Sequence, residues 1–231
     1  MPTVSPDSGY LTVINLFTAD AVEKQGRLIE AMREIVDAAA YPGWISSTVH
    51  SGMDKPGTAN FIQWRSGEDL EARYAGEEFQ HRTLPLFTEL TTSITLLQTH
   101  VEFTQRHPAL GGPTVISPDR DDYTVIEVFG VAPEDRGDLV AALGTGQEWL
   151  AETPGYRSHT VLAGDRAQGF DGPFVVVYSQ WADKASYDAY RTLPEAEQPG
   201  DRQKMQARLE SLATSRDWNS YRVVHTRSVG E

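Results

Sequence analysis

The chain repeats itself. Thr12-Val13-Ile14 returns as Thr124-Val125-Ile126, and the same offset of 112 residues carries Phe17 to Phe129 and Pro42-Gly43-Trp44 to Pro154-Gly155-Tyr156. Ser46, Thr48 and Val49 reappear at that spacing as Ser158, Thr160 and Val161. Gln63-Trp64 then matches Gln180-Trp181 at an offset of 117, so the second copy carries about five extra residues, expected in a longer hairpin loop over the Gly/Asp-rich stretch Gly164 to Gly172. Landmarks held in one order over this length mark a tandem duplication, and a duplicated chain folds as like modules.

Each copy has the same coarse plan. In Leu11 to Phe17 both alternating faces are largely apolar, which predicts a strand covered on both sides. From Ala21 to Ala39 the residues Val22, Leu28, Ile29, Met32, Ile35, Val36 and Ala39 follow helical spacing, and Pro42-Gly43 ends the helix. Trp44 to His50 and Ala59 to Arg65 read as a hairpin. A helical region follows over Glu68 to Leu90, with breaks expected at Gly76 and Pro85, and the strand Ile94 to Phe103 closes the unit. In the second copy, strands are expected at 123–130, 156–163, 174–181 and 219–227, with helices around 134–151 and 183–213. The predicted organisation is a first βαββαβ module over residues 1–106, a linker over 107–121 containing three prolines and two glycines, and a second βαββαβ module over 122–231. Such a unit forms a four-stranded antiparallel sheet with both helices on one face. Its bare face needs cover, and the other copy's sheet is the obvious cover. The expected fold is α+β, two modules packed sheet to sheet as a barrel-like pseudo-dimer within one chain.

Composition narrows the function. A formal charge of −13 argues against nucleic acid and anionic membrane as partners. With no cysteine there is no disulfide framework, thiol nucleophile or thiolate metal site. Met1 to Gly9 has neither a basic nor an apolar export segment, and no apolar run reaches the roughly 18 residues that span a bilayer, so a cytoplasmic location is expected. Histidines at 50, 100, 159 and 225 show no metal-ligand spacing, so no metal is expected. Leu143-Gly144-Thr145-Gly146 reads as a helix break rather than a phosphate loop, since no Lys-Ser/Thr follows it.

The residues out of place are polar ones on apolar faces. Asn15 lies between Val13 and Phe17, while Asn60 and Trp64 share one strand face with Ile62 between them. Each alone can be a satisfied core residue. Together, two carboxamides and an indole N–H are neutral groups suited to hold a carbonyl, a phenolate or dioxygen.

The repeat, the Asn-x-x-x-Trp of the third strand and the Glu-Glu-Phe-Gln-His segment at Glu77 to His81 resemble the antibiotic biosynthesis monooxygenase family, once per half and over nearly the whole chain. The resemblance implies ferredoxin-like modules in a dimeric α/β barrel and a monooxygenase of secondary metabolism that oxidises a polycyclic aromatic, polyketide-type phenol or anthrone with O2 and without metal, flavin or haem. By position, Asn15, Asn60 and Trp64 would be its catalytic residues, with Tyr74, His81 and Arg82 as further pocket candidates. The second copy departs from this pattern: Glu127 stands for Asn15, Val177 for Asn60, and only Trp181 persists. That half is either scaffold or a second site in which Glu127, between Val125 and Phe129, is a desolvated general base. Three other functions fit the same residues. They are a polyketide cyclase of this fold, a haem-degrading oxygenase using Asn15 and His81, and a non-catalytic binding protein. Two full chains could also associate further.

Overall fold

The computed structural model describes residues 1–231. A short strand β1 (Thr3–Val4) precedes the first module, which runs β2 (Leu11–Thr18), α1 (Val22–Asp37), β3 (Trp44–Gly52), β4 (Gly57–Trp64), α2 (Gly67–Ala75), a π-helical turn (Phe79–Thr83), α3 (Leu84–Leu90) and β5 (Ser93–Arg106). A second short strand, β6 (Thr114–Val115), precedes the second module: β7 (Tyr123–Val131), α4 (Arg136–Gly144), β8 (Tyr156–Gln168), β9 (Phe174–Trp181), α5 (Lys184–Thr192), α6 (Gly200–Leu212) and β10 (Ala213–Ser228).

The two four-stranded sheets join into one closed barrel with the order β10-β3-β4-β2-β5-β8-β9-β7. Both joins are antiparallel and both cross between the halves, β5 with β8 and β10 with β3. Closure leaves neither sheet an open edge. The lumen is packed solid by Ile14, Phe61 and Leu97 from one half and Ile126, Leu162, Phe174 and Tyr178 from the other. The helices cover the outside, where Leu28, Met32 and Val36 of α1 meet Phe17 and Val49, and Leu139 and Leu143 of α4 meet Phe129 and Val161. Both faces of every module sheet are therefore buried, as the doubly apolar strands require.

The repeated residues do matching work in the two halves. Ser46 donates to Gln63 at 2.7 Å and Ser158 to Gln180 at 2.6 Å. Gly43 and Gly155 adopt φ of 77° and 76°, and a Cβ on either would strike the next helix, at Asp69 and at Ser186. The repeat also reaches further back than the landmarks suggest. Val4-Ser5-Pro6-Asp7 matches Ile116-Ser117-Pro118-Asp119, each Ser capping a short 3-10 turn. The strands β1 and β6 beside them pair with each other, and Val4 and Ile116 enter the central core, so the segment 107–121 is partly built into the barrel.

Two expectations are corrected. The extra residues of the second copy mostly lengthen a strand: β8 continues to Gln168 because the 14-residue β5 offers it partners, Thr99 to Gly164 and Leu96 to Gln168. At Pro85 the helix does not break. The Leu84 N–H bonds back to Phe79 across a wider π turn, which makes room for a ring with no N–H in the first turn of α3. The break at Gly76 is present. No helix is long and apolar enough to cross a membrane.

Candidate active site

Period-two geometry sends Val13, Asn15 and Phe17 outward from the lumen, toward the helices. Asn15 on β2 is the direct cross-strand partner of Asn60 on β4, and Trp64 lies on the same face four residues on. All three line one cavity between the sheet and α1, α2 and the π turn, of about 590 Å³ including its open mouth. Its walls are mostly apolar, from Met32, Ile35 and Val36 of α1 to Leu70 and Phe87.

Within these walls, polar atoms are left without partners. Asn15 Oδ1, Asn60 Oδ1, Trp64 Nε1 and the Tyr74 hydroxyl are all buried and make no hydrogen bond. Buried polar groups are nearly always paired, so four such atoms on one cavity describe a site shaped for a ligand with complementary groups. The contrast with Trp44 is direct: Trp44 is the cross-strand partner of Trp64, yet its Nε1 donates to Ser47 at 2.8 Å. Burial pushes the Tyr74 phenol up, so it presents an O–H donor near neutrality.

The cavity also holds a cation. Arg73, 8% exposed at its side chain, stacks over the Tyr41 ring at 4.1 Å and lies 5.4 Å from the Phe79 ring centre. Its nearest acid, Glu78, is 4.0 Å away. Neither Arg73 nor Tyr41 was anticipated from the sequence. Adjacent helical residues point about 100° apart, so choosing Tyr74 for the cavity argues against Arg73 on the same helix. Both reach it because they sit in the last turn of α2, where the chain bends away at Gly76. Histidine, aspartate and glutamate are absent from the cavity wall.

Two pocket candidates are corrected. His81 is 76% exposed on the outer side of the π turn, 3.4 Å from Glu77, and Arg82 is exposed beside it. The helix carrying Tyr74 ends at Gly76 and the chain resumes as a π turn, so His81 and Arg82 are not in helical register with Tyr74. The haem-degrading alternative needed His81 and Asn15 in one cavity, and they are not.

The second half has its own cavity in the matching place, of about 840 Å³ including its mouth, walled by Glu127, Trp181, Tyr187 and Tyr190 among others. Here the equivalents are occupied. Trp181 Nε1 donates to Ser179 at 3.1 Å, and Val177 replaces the second carboxamide. The expectation of Glu127 as an isolated desolvated base is corrected, because its carboxylate accepts from Arg216 of β10 at 2.6 Å. Tyr187 and Tyr190 pack against the Trp181 ring at 5.5 and 4.7 Å. Among all residues, no group of three or more His, Cys, Asp or Glu gathers in a way that could hold a metal ion.

Comparison with known proteins places the chain in company. A family model described as antibiotic biosynthesis monooxygenase matches residues 122–199. Tetracenomycin-F1 monooxygenase of Streptomyces glaucescens is 32% identical over an alignment of 104 residues that covers 40% of this chain and 92% of that protein. The crystal structure of an anthrone oxidase-like protein superposes with a TM-score of 0.96 at 55% identity, covering 100% of this chain and 98% of the other. A Fusobacterium nucleatum protein shares the fold at a TM-score of 0.65 with 10% identity, over 96% of this chain and 95% of its own.

Proposed function

The chain belongs to the antibiotic biosynthesis monooxygenase family, and on that premise we propose that its first-half cavity oxidises an electron-rich polycyclic phenol or anthrone with O2, without metal, flavin or haem. The observation that carries this reading is the set of four unpaired polar atoms, on Asn15, Asn60, Trp64 and Tyr74, inside one apolar cavity. The names of the relatives, an oxygenase of tetracenomycin F1 and an anthrone oxidase-like protein, support the substrate class.

The wall carries no histidine or carboxylate to act as base, so the substrate must be acidic itself. The Trp64 N–H and the Tyr74 O–H would donate to its carbonyl or phenolate oxygen, the Asn15 and Asn60 side-chain oxygens would accept from its phenol O–H groups, and Arg73 would favour the anion over the neutral form. Loss of a proton from the anthrone to water at the open mouth gives that anion, which passes one electron to O2. The resulting carbon radical and superoxide combine into a peroxide anion, which takes a proton back to become the hydroperoxide. Loss of water then leaves a new carbonyl, so one oxygen atom stays in the quinone and the other departs in the water. The apolar walls keep bulk water from the radical pair.

Oxygen uptake with 1,8-dihydroxyanthrone tests this. One O2 should disappear per anthrone, and 18O2 should put one labelled atom into the quinone. A ring-closed product formed without O2 uptake would establish the cyclase reading instead, and a flavin purified with the protein at one per chain would overturn the cofactor-free one.

A further inference from the structure

We infer that the cavity of the second half is a binding site for an aromatic carboxylate, with Arg202 as its charge partner. This site is separate from the proposed oxidation site and does not depend on it.

Arg202 stands in the first turn of α6 and is 2% exposed. It makes no salt bridge to any Asp or Glu of the chain. Its Nη2 donates to the Tyr190 carbonyl at 2.7 Å, and its Nε has no partner. The guanidinium lies 4.2 Å from the Tyr190 ring centre and 6.0 Å from that of Trp149. Such contacts return only part of what a buried guanidinium loses in water, so a cation without a counter-ion remains.

The rest of the wall points the same way. Arg191 and Arg216 also line the cavity, and Glu127 is its one acid, already engaged by Arg216. His159, the other basic side chain there, is held neutral, since burial lowers it to about 4. The cavity is therefore positive within a chain of formal charge −13. Tyr156, Trp181, Tyr187 and Tyr190 supply flat apolar surface, and a guanidinium pairs best with a planar, bidentate carboxylate. The first-half cavity differs in kind. It offers one arginine that already has Glu78 at 4.0 Å, together with neutral donors.

Titration calorimetry of the full chain with 2-naphthoate and with 2-naphthamide, equal in shape and unlike in charge, tests the inference. Naphthoate should bind about tenfold tighter or better, as expected for a charge-assisted pair against a neutral one. Arg202→Met should remove that preference. Because Arg202 is buried and its variant could misfold, Gln206→Glu on the half-exposed wall of the same cavity serves as an independent variant. It should weaken naphthoate by about tenfold and leave naphthamide unchanged. Equal affinity for the two probes would overturn the inference, as would a naphthoate affinity that Gln206→Glu does not alter.

Discussion

Asn15 and Asn60 face each other across the β2–β4 ladder, and the side-chain oxygens of both are buried without a hydrogen-bond partner. Two adjacent carboxamides could have satisfied one another. Held apart on a cavity wall, they stay available to a ligand, and their unmet bonding is a cost the empty fold carries.

Asn15→Ala should therefore slow oxidation sharply. Removing one positioned neutral group from such a site costs roughly 10²–10³-fold in turnover. The oxygen electrode reads it directly. Stability should not fall, because the variant removes an unpaired polar atom; an inactive but destabilised protein would point to misfolding instead.

The two tryptophans separate the halves. Trp64→Phe keeps the ring bulk and deletes a free N–H in the cavity, so kcat should drop while the thermal midpoint stays nearly constant. Trp181→Phe deletes an N–H already bound to Ser179, so turnover should hold and stability should fall by about 1 kcal/mol. Glu127→Gln should leave turnover unchanged as well. Loss of activity in Glu127→Gln with activity retained in Asn15→Ala would move the active site to the second half.

Separating the halves should expose both joins. A fragment of residues 1–105 would leave the edges of β3 and β5 unpaired and the lumen face bare. It would also lose the cap on α1, because Arg227 of β10 donates to the Val36 and Ala39 carbonyls at 2.8 and 2.7 Å. The fragment should dimerise or aggregate. A folded monomer in sedimentation would contradict the pseudo-dimer.

Stability should decline in mild acid. Burial lowers both His50 and His159 to about 4, below the ordinary value of 6.5, so the unfolded chain binds more protons over that interval. The folded state is therefore fully favoured above pH 6.5 and loses stability as the pH falls from there toward 4. The denaturant midpoint at pH 7.5 should exceed that at pH 5. His50→Gln should flatten the slope between them, although it also disturbs the 2.9 Å contact with Tyr178 across the lumen.

What the sequence determined by itself was whatever depends on short-range order. Repeated landmarks set two like modules, and alternation along the third strand put Asn60 and Trp64 on one face, since residues four apart on a strand point the same way. Pairing of β2 with β4 and closure of the barrel decided that Asn15 shares that face and that the face lies under the helices. Tertiary structure decided what depends on distant partners. Glu127 reads as an isolated acid until β10 brings Arg216 to it across 89 residues. Gly164 to Gln168 reads as loop until β5 offers it a ladder. His81 reads as a pocket residue until the break at Gly76 leaves it exposed on the π turn, and Arg202, unremarkable on a polar helix, becomes a buried cation only when α6 meets Tyr190 and Trp149. Local pattern fixes the direction in which a side chain points, and packing fixes what it meets there.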